Sequence, residues 1–370
     1  MQAAVYRGKE DVRAETIPVP QIGRGELLVR VESCGVCGTD LKKIQYATVA
    51  PPRVFGHEIA GSIAQVGAGV RGWKIGDRVV VYHHVACLRC HHCRNDQFTE
   101  CSQFKKTGVT AGFEPAGGGF AQFARVMPWI VKGGGVIKIP KGVTDDEACL
   151  HEPVNTVLRA VKKLALRRGD WVVVFGQGSI GLMFTQICRV YGARVIAADL
   201  MESRLAVAKR LGAAAGVNAT AADFVEQVRA IIRNPKSAQA GTPAPPAEKG
   251  GADAAVVAVP SARAIEQAFK VTRGGAKILL FAHTRHNDPV TMDAGAICVD
   301  ERHVLGSYSS SPHLLKETSR LIFQRRINVR ALITHRLPIA EIDTAIRLAS
   351  NPTEDPLKII IKPNSDCVTQ

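Results

Sequence analysis

Residues 171–181 read WVVVFGQGSIG. The first five, Trp171 to Phe175, form an unbroken apolar run with the length and β-branched content of a strand buried on both faces. The next six, Gly176-Gln177-Gly178-Ser179-Ile180-Gly181, are a G-x-G-x-x-G, and residues 180–191 behind them carry helical apolar spacing. A strand, a glycine turn and a helix together are the setting in which this motif holds a dinucleotide. The first glycine permits the tight turn, the second lets backbone N–H groups approach a pyrophosphate, and the third lets helix and strand pack closely. The helix N-terminus then faces the phosphates. A second strand, 194–198, runs into Asp199. A carboxylate there accepts hydrogen bonds from the adenosine ribose and repels a 2′-phosphate, so NAD is expected over NADP. Arg204 lies close by and is the one residue pulling the other way.

The same rhythm continues outward. A helix is expected over 203–211, strands over 254–259, 277–281 and 303–305, and a helix over 262–271. Apolar strands alternating with helices indicate a doubly wound parallel sheet covered on both faces, an α/β coenzyme domain over 154–310. Before it, the runs 27–31, 58–66 and 77–81 alternate and are broken by glycines, as in a small β-rich domain. After it come two helical stretches, 314–325 and 339–349, and a closing strand, 358–362. Residues 234–251, NPKSAQAGTPAPPAEKGG, have no apolar face and read as a mobile surface loop within the second domain.

The chain has 370 residues, 46% of them hydrophobic and 22% charged, which is enough for two globular domains and excludes a disordered chain. No apolar run approaches the ~18 residues of a membrane span, and the first residues do not resemble a signal peptide. A soluble, cytoplasmic protein without a membrane partner is therefore expected. The net charge of +15 raises nucleic acid as a partner. Its spread argues against one: 19 basic against 15 acidic residues over 1–153, 20 against 12 over 154–310, and 9 against 6 over 311–370. With aromatics at 5% and no basic run interleaved with them, no nucleic-acid face is expected.

Four of the ten cysteines, Cys87, Cys90, Cys93 and Cys101, fall within fifteen residues. In an intracellular-looking chain this spacing points to tetrahedral zinc, and a closed four-thiolate site is structural. His83, His84, His91 and His92 crowd the same stretch and are read as solvated loop residues. A second set is scattered: Cys37 in CGVCGTD, His57 and Glu58 in GHE, and Glu152 in HEP. One thiolate, one imidazole and one or two carboxylates make a plausible open zinc site, although spacing alone does not show that they converge.

Taken together, CGVCGTD, GHEIAG, the four-cysteine loop, GGFAQF, HEP, GQGSIG with Asp199, and LITHR at 332–336 resemble the zinc-containing medium-chain dehydrogenases, nearest to the polyol and threonine dehydrogenase branches. The resemblance implies a GroES-like catalytic domain built from 1–153 and 311–370, a Rossmann domain between them, and a homodimer or homotetramer. It implies two zinc ions per chain. Cys37 and His57 would ligate the catalytic one, with Glu58 and Glu152 exchanging with water in the remaining positions. Thr39 matches the hydroxyl residue that receives the substrate proton. The sequence departs from its relatives at Lys42, where many have a proton-passing His, at Ser307-Tyr308, where the sorbitol branch has Arg-Tyr, and at His151, where an apolar side chain is usual.

The expectation is thus an NAD-dependent, zinc-assisted dehydrogenase that interconverts a small secondary alcohol and its ketone by hydride transfer. The alcohol would be a polyol, an aminocyclitol or a hydroxy amino acid. A zinc-free quinone or enoyl reductase of the same superfamily would lack the four-cysteine loop and the Cys/His/Glu set. A zinc-stabilised nucleic-acid-binding protein would leave the coenzyme fingerprint unexplained.

Overall fold

In the computed structural model, residues 171–175 are the third strand from one edge of a six-stranded parallel sheet. The structure describes residues 1–234, 250–282, 289–351 and 354–364. Most of the expected loop at 234–251 lies outside them.

In chain order the elements begin with β1 (Gln2–Gly8), β2 (Asp11–Thr16), β3 (Leu27–Gly35), α1 (Gly38–Tyr46), β4 (Arg53–Val54), β5 (Glu58–Val66) and β6 (Arg78–Val81). There follow α2 (His91–Arg94), β7 (Val109–Thr110), β8 (Phe123–Val126), α3 (Pro128–Lys132), β9 (Val136–Lys138), α4 (Asp145–Cys149) and α5 (His151–Leu164). Strands and helices then alternate: β10 (Trp171–Phe175), α6 (Ser179–Val190), β11 (Arg194–Asp199), α7 (Glu202–Arg210), β12 (Ala215–Asn218), α8 (Phe224–Arg233), β13 (Ala252–Val257), α9 (Ala262–Val271), β14 (Thr272–Leu280), α10 (Ala294–Cys298) and β15 (His303–Gly306). The chain ends with α11 (Leu315–Phe323), β16 (Ile333–Pro338), α12 (Ile342–Ser350) and β17 (Lys358–Lys362).

These elements form two compact units. One takes the described residues of Met1–Val154, Ser311–Arg325 and Val329–Gln370, the other Asn155–Ser310 with Arg326–Asn328. In the second unit the sheet runs β12-β11-β10-β13-β14-β15, all parallel. This order reverses direction between β10 and β13, the switch point at which open α/β sheets place their ligands. All five residues of β10 are buried, which explains why its sequence is apolar without alternation. Trp171, Val173 and Phe175 pack on one face with Phe224, Val228 and Ile265 from α8 and α9. Neither β12 nor α8 was read from the sequence; β12 is short, and Val217 is its one buried apolar residue.

The first unit is organised around β3. Along its length β3 pairs antiparallel with β5, at its start also with β8, and at its end, Cys34 and Gly35, with β17 from the far end of the chain. The resulting eight-stranded sheet covers a core of Val29, Val31, Ile59, Val79, Ile361 and their neighbours. Helix α4 is anchored to it by three successive acids. Asp145 pairs with Arg78 at 2.8 Å, Asp146 with Lys362 at 2.8 Å and Arg336 at 2.6 Å, and Glu147 with Arg330 at 2.8 Å. Thr144 and Glu147 also close a capping box at its N-terminus. This fixes the segment from which His151 and Glu152 emerge.

Candidate functional site

The coenzyme loop is held in place by its own side chains. Gly176 has φ +87°, a backbone conformation that favours glycine. A Cβ on Gly181 would lie 1.7 Å from the Gly176 carbonyl oxygen, so that residue must also be glycine for helix and strand to approach. A Cβ on Gly178 would meet nothing nearer than Arg204 at 4.0 Å, which leaves room for a ligand over the loop. Gly178 is the N-cap of α6 and no side chain caps that end, so the N-terminal amides of a twelve-residue helix are available to a phosphate. Gln177 is buried, donating from Nε2 to Val174 O at 2.9 Å and accepting from Thr185 Oγ1 at 2.9 Å. Asp199, expected to face the ribose, is tied into the loop as well. Its Oδ2 accepts from Gln177 N at 2.5 Å and its Oδ1 from Met201 N at 3.0 Å. Each carboxylate oxygen keeps a further lone pair for a ribose hydroxyl.

The four-cysteine loop lies in the first unit. The Sγ atoms of Cys87, Cys90, Cys93 and Cys101 all fall within 4.8 Å of one another, with Cys90–Cys93 at 3.5 Å and Cys87–Cys93 at 3.9 Å. Tetrahedral Zn²⁺ with Zn–S near 2.3 Å needs sulfurs about 3.8 Å apart, so the donor set fits zinc in number, type and spacing. None of the nine described cysteines forms a disulfide. Backbone N–H groups of Arg89 and Cys90 lower the Cys87 thiol to about 6, so its thiolate is already favoured. Phe98 and Phe104 pack behind the sulfurs as a small separate core.

The scattered set converges in part. Ligand atoms of Cys37, His57 and Glu58 lie within 4.8 Å of one another. Cys37 caps α1, accepting weakly from Thr39 N at 3.5 Å, while His57 and Glu58 lead into β5. His57 Nδ1 is 3.2 Å from Oδ1 of the fully buried Asp40, which leaves Nε2 as the free ligand nitrogen. Burial lowers the His57 pKa, but the Asp40 carboxylate and the Cys37 thiol more than offset it and hold it well above the ordinary value. The S, N and O donors of this set suit zinc. Glu58 is not free: the buried Lys358 donates to both of its carboxylate oxygens at 2.9 Å and to Val36 O at 3.1 Å. Gly35 makes room for that carboxylate, since a Cβ there would stand 1.9 Å from Glu58 Oε2. Glu152 is buried in the first turn of α5 but is not part of this triad.

Known families match both halves of this arrangement. Residues 23–141 match the alcohol dehydrogenase GroES-like domain and residues 179–324 the zinc-binding dehydrogenase domain. An alcohol dehydrogenase of Rhizobium meliloti is 34% identical over 305 residues, covering 81% of this chain and 79% of that protein. The chain belongs to the zinc-containing medium-chain alcohol dehydrogenase family. The sorbitol dehydrogenase of Bacillus subtilis is 27% identical over 372 residues, 98% of each chain. Among solved structures, a protein described as a zinc-binding dehydrogenase from Sinorhizobium meliloti, bound to NADP, superposes with a TM-score of 0.83 at 25% identity, covering 98% of this chain and 99% of that one.

Within this alcohol dehydrogenase several side chains differ from the sequence reading. His91 is exposed, as expected of a solvated loop residue, but His83 and His84 are half-buried. The His83 ring lies 4.6 Å from that of His57 and 4.0 Å from that of His84, and its Nδ1 is buried. Burial pushes the pKa of both down, that of His84 to about 4, so both are neutral. Lys42 is half-buried and its pKa is lowered by burial. His151 is fully buried, with Tyr82 Oη 2.6 Å from Nδ1 and Ser319 Oγ 3.0 Å from Nε2. Burial lowers it to about 3. The neutral His151 imidazole ties the start of α5 to the end of β6 and to α11. Asp40 and Lys358 were missed in the sequence. Asp40 stood in the quoted CGTD, three residues after Cys37, and its spacing was a usable signal; Lys358 offered none.

Proposed function

We propose that this oxidoreductase is a zinc-dependent, NAD-linked dehydrogenase that interconverts a small secondary alcohol and its ketone. The observation that carries the reading is the meeting of Cys37, His57 and Glu58 in one triad backed by Asp40. Cys37 and His57 would hold the catalytic metal, with Glu58 or Glu152 completing the set, while Cys87, Cys90, Cys93 and Cys101 would hold a structural one. The Gly176–Gly181 turn and Ser179 and Ile180 at the start of α6 would receive the coenzyme pyrophosphate, and Asp199 and Arg204 would flank its adenosine ribose. When bound, the metal supplies Lewis acidity toward a hydroxyl group and the coenzyme supplies the two-electron redox chemistry.

The chain's own residues do the rest. Asp40 fixes the tautomer and orientation of His57. Lys358 balances the charge of Glu58, which favours Glu152 or water in the resting position. Thr39 Oγ1, on the first turn of α1, relays the hydroxyl proton, taking it as its own proton leaves to water. Asp199 supports NAD, although the S. meliloti structure holds NADP. The sorbitol dehydrogenase relative supports a polyol. We retain a homodimer or homotetramer as the working assembly. The test is absorbance of reduced coenzyme across polyols, aminocyclitols, hydroxy amino acids and simple secondary alcohols, with NAD and with NADP. Oxidation of none of them by the zinc-loaded protein would overturn the reading.

A further inference from the structure

Helix α1 presents more than a hydroxyl. Thr39, Lys42, Lys43 and Tyr46 fall at i, i+3, i+4 and i+7 and so share one face, while Asp40 and Ile44 beside them are buried. Lys43 lies one helical turn beyond Thr39, on the helix that Cys37 caps. Its Nζ is 5.8 Å from the centre of the Phe55 ring, and buried Phe55 lies two residues before His57. Across from His57 come the rings of His83 and His84. Of the nearby acids, Asp40 pairs with His57 and also feels the Lys43 charge, and Glu58 pairs with Lys358. Among the described residues Lys43 itself forms no ion pair.

We propose that Lys43, with Lys42 beside it on the same helix face, receives an anionic group of the substrate, so that the alcohol oxidised carries a carboxylate or a phosphate besides its secondary hydroxyl. This rests on the reading of the Cys37–His57–Glu58 centre as the place of alcohol oxidation. Lysine is a compact, rotatable point charge suited to either anion. Four residues of helix rise, about 6 Å, separate the backbones of Thr39 and Lys43 along one face of the helix. An uncharged polyol would cover the ammonium without a counter-charge and lose hydration at no gain.

The experiment compares matched substrates: sorbitol, gluconate and sorbitol 6-phosphate, with glycerol, glycerate and glycerol 1-phosphate as a shorter set. Each is assayed with wild type, Lys43→Met and Lys43→Arg, with coenzyme affinity and thermal midpoint as controls for folding. The expected result is that an anionic member exceeds its uncharged counterpart in kcat/KM. Lys43→Met should lower that preference about ten- to a hundredfold, mainly through KM, and Lys43→Arg should restore most of it. The wild-type preference should also weaken with added salt. Which anion wins distinguishes carboxylate from phosphate. Uncharged members oxidised at least as well as the anions, or a preference unchanged in Lys43→Met, would overturn the assignment. If no alcohol of any kind is oxidised, it is the dehydrogenase reading itself that fails.

Discussion

Lys358 and Glu58, 300 residues apart in the chain, form a buried pair in which the ammonium sits 2.9 Å from both carboxylate oxygens. The pairing of β17 with β3 and of β3 with β5 brings them together, with Gly35 opposite Glu58 in the ladder. Breaking such a pair from one side leaves a buried charge without a partner. Lys358→Met should therefore cost about 3–5 kcal/mol, and adding Glu58→Gln should recover much of it. Urea unfolding of the single and double variants measures both. A double variant less stable than Lys358→Met alone would mean that Glu58 has another source of stabilisation.

Two zinc ions per chain are expected by elemental analysis. Cys90→Ser should lose one and reduce the soluble, folded yield, because a closed four-thiolate site contributes directly to folding. Cys37→Ser should keep the fold and abolish turnover. Full activity with one zinc, or with none, would contradict the two-site assignment.

The coenzyme loop and the four-cysteine cluster were legible because each is local: six and fifteen consecutive residues carry the whole signal. The Cys37–His57–Glu58 triad was legible only as fragments, since its members meet through the pairing of β3 with β5, which sets Gly35 opposite Glu58. Lys358 was not legible at all. Its role depends on strand order, and a lysine in the run KIIIK looks like an end-of-strand charge. His83 and His84 misled for a related reason, as a polar pair beside a glycine-poor loop reads as solvated until tertiary packing closes over it.

Asp199 has two tasks, and its variants should separate them. Asp199→Asn keeps one oxygen for a backbone amide and removes the charge, so it should narrow the preference for NAD over NADP with modest loss of stability. Asp199→Ala removes both acceptors, leaving Gln177 N–H without its partner, and should cost about 1–3 kcal/mol more. Coenzyme titration and thermal melting read the two effects. A wild type that prefers NADP would show that Arg204 outweighs the carboxylate.

Thr39→Ala should reduce turnover by about 10²–10⁴ while zinc content and coenzyme binding persist, and Thr39→Ser should retain much of the activity. Lys42→Ala should have a smaller effect, as a lysine whose pKa is only lowered by partial burial stays largely protonated at neutral pH. The pH profile of turnover for the three variants checks this. A larger loss in Lys42→Ala than in Thr39→Ala would place the lysine in the proton path.

Acid should loosen α4 in a defined range. Burial raises the Glu147 carboxyl, but Arg330, Thr144 and Arg325 outweigh it and bring it to about 2, below an unfolded value of about 4.3. Because the folded value is the lower, this contribution is complete above about pH 4.5 and is lost as pH falls toward 2. Glu147→Gln should cost about 1–3 kcal/mol at neutral pH and flatten the dependence below pH 4.5 relative to wild type. Equal slopes for the two proteins would remove Glu147 from acid unfolding.

The discontinuity of the first unit has a consequence for synthesis. The stretch that forms most of the second unit, residues 155–310, is contiguous and can fold as soon as it leaves the ribosome, whereas β3 and β5 are made early and wait for β17. Until residue 358 emerges, Glu58 has no counter-ion and one edge of β3 is open. A nascent chain stalled just short of that lysine would carry a finished coenzyme fold beside an unfinished metal centre. Emergence of residues 358–362, rather than any event at the metal, would then be the moment at which the first unit commits to its native state.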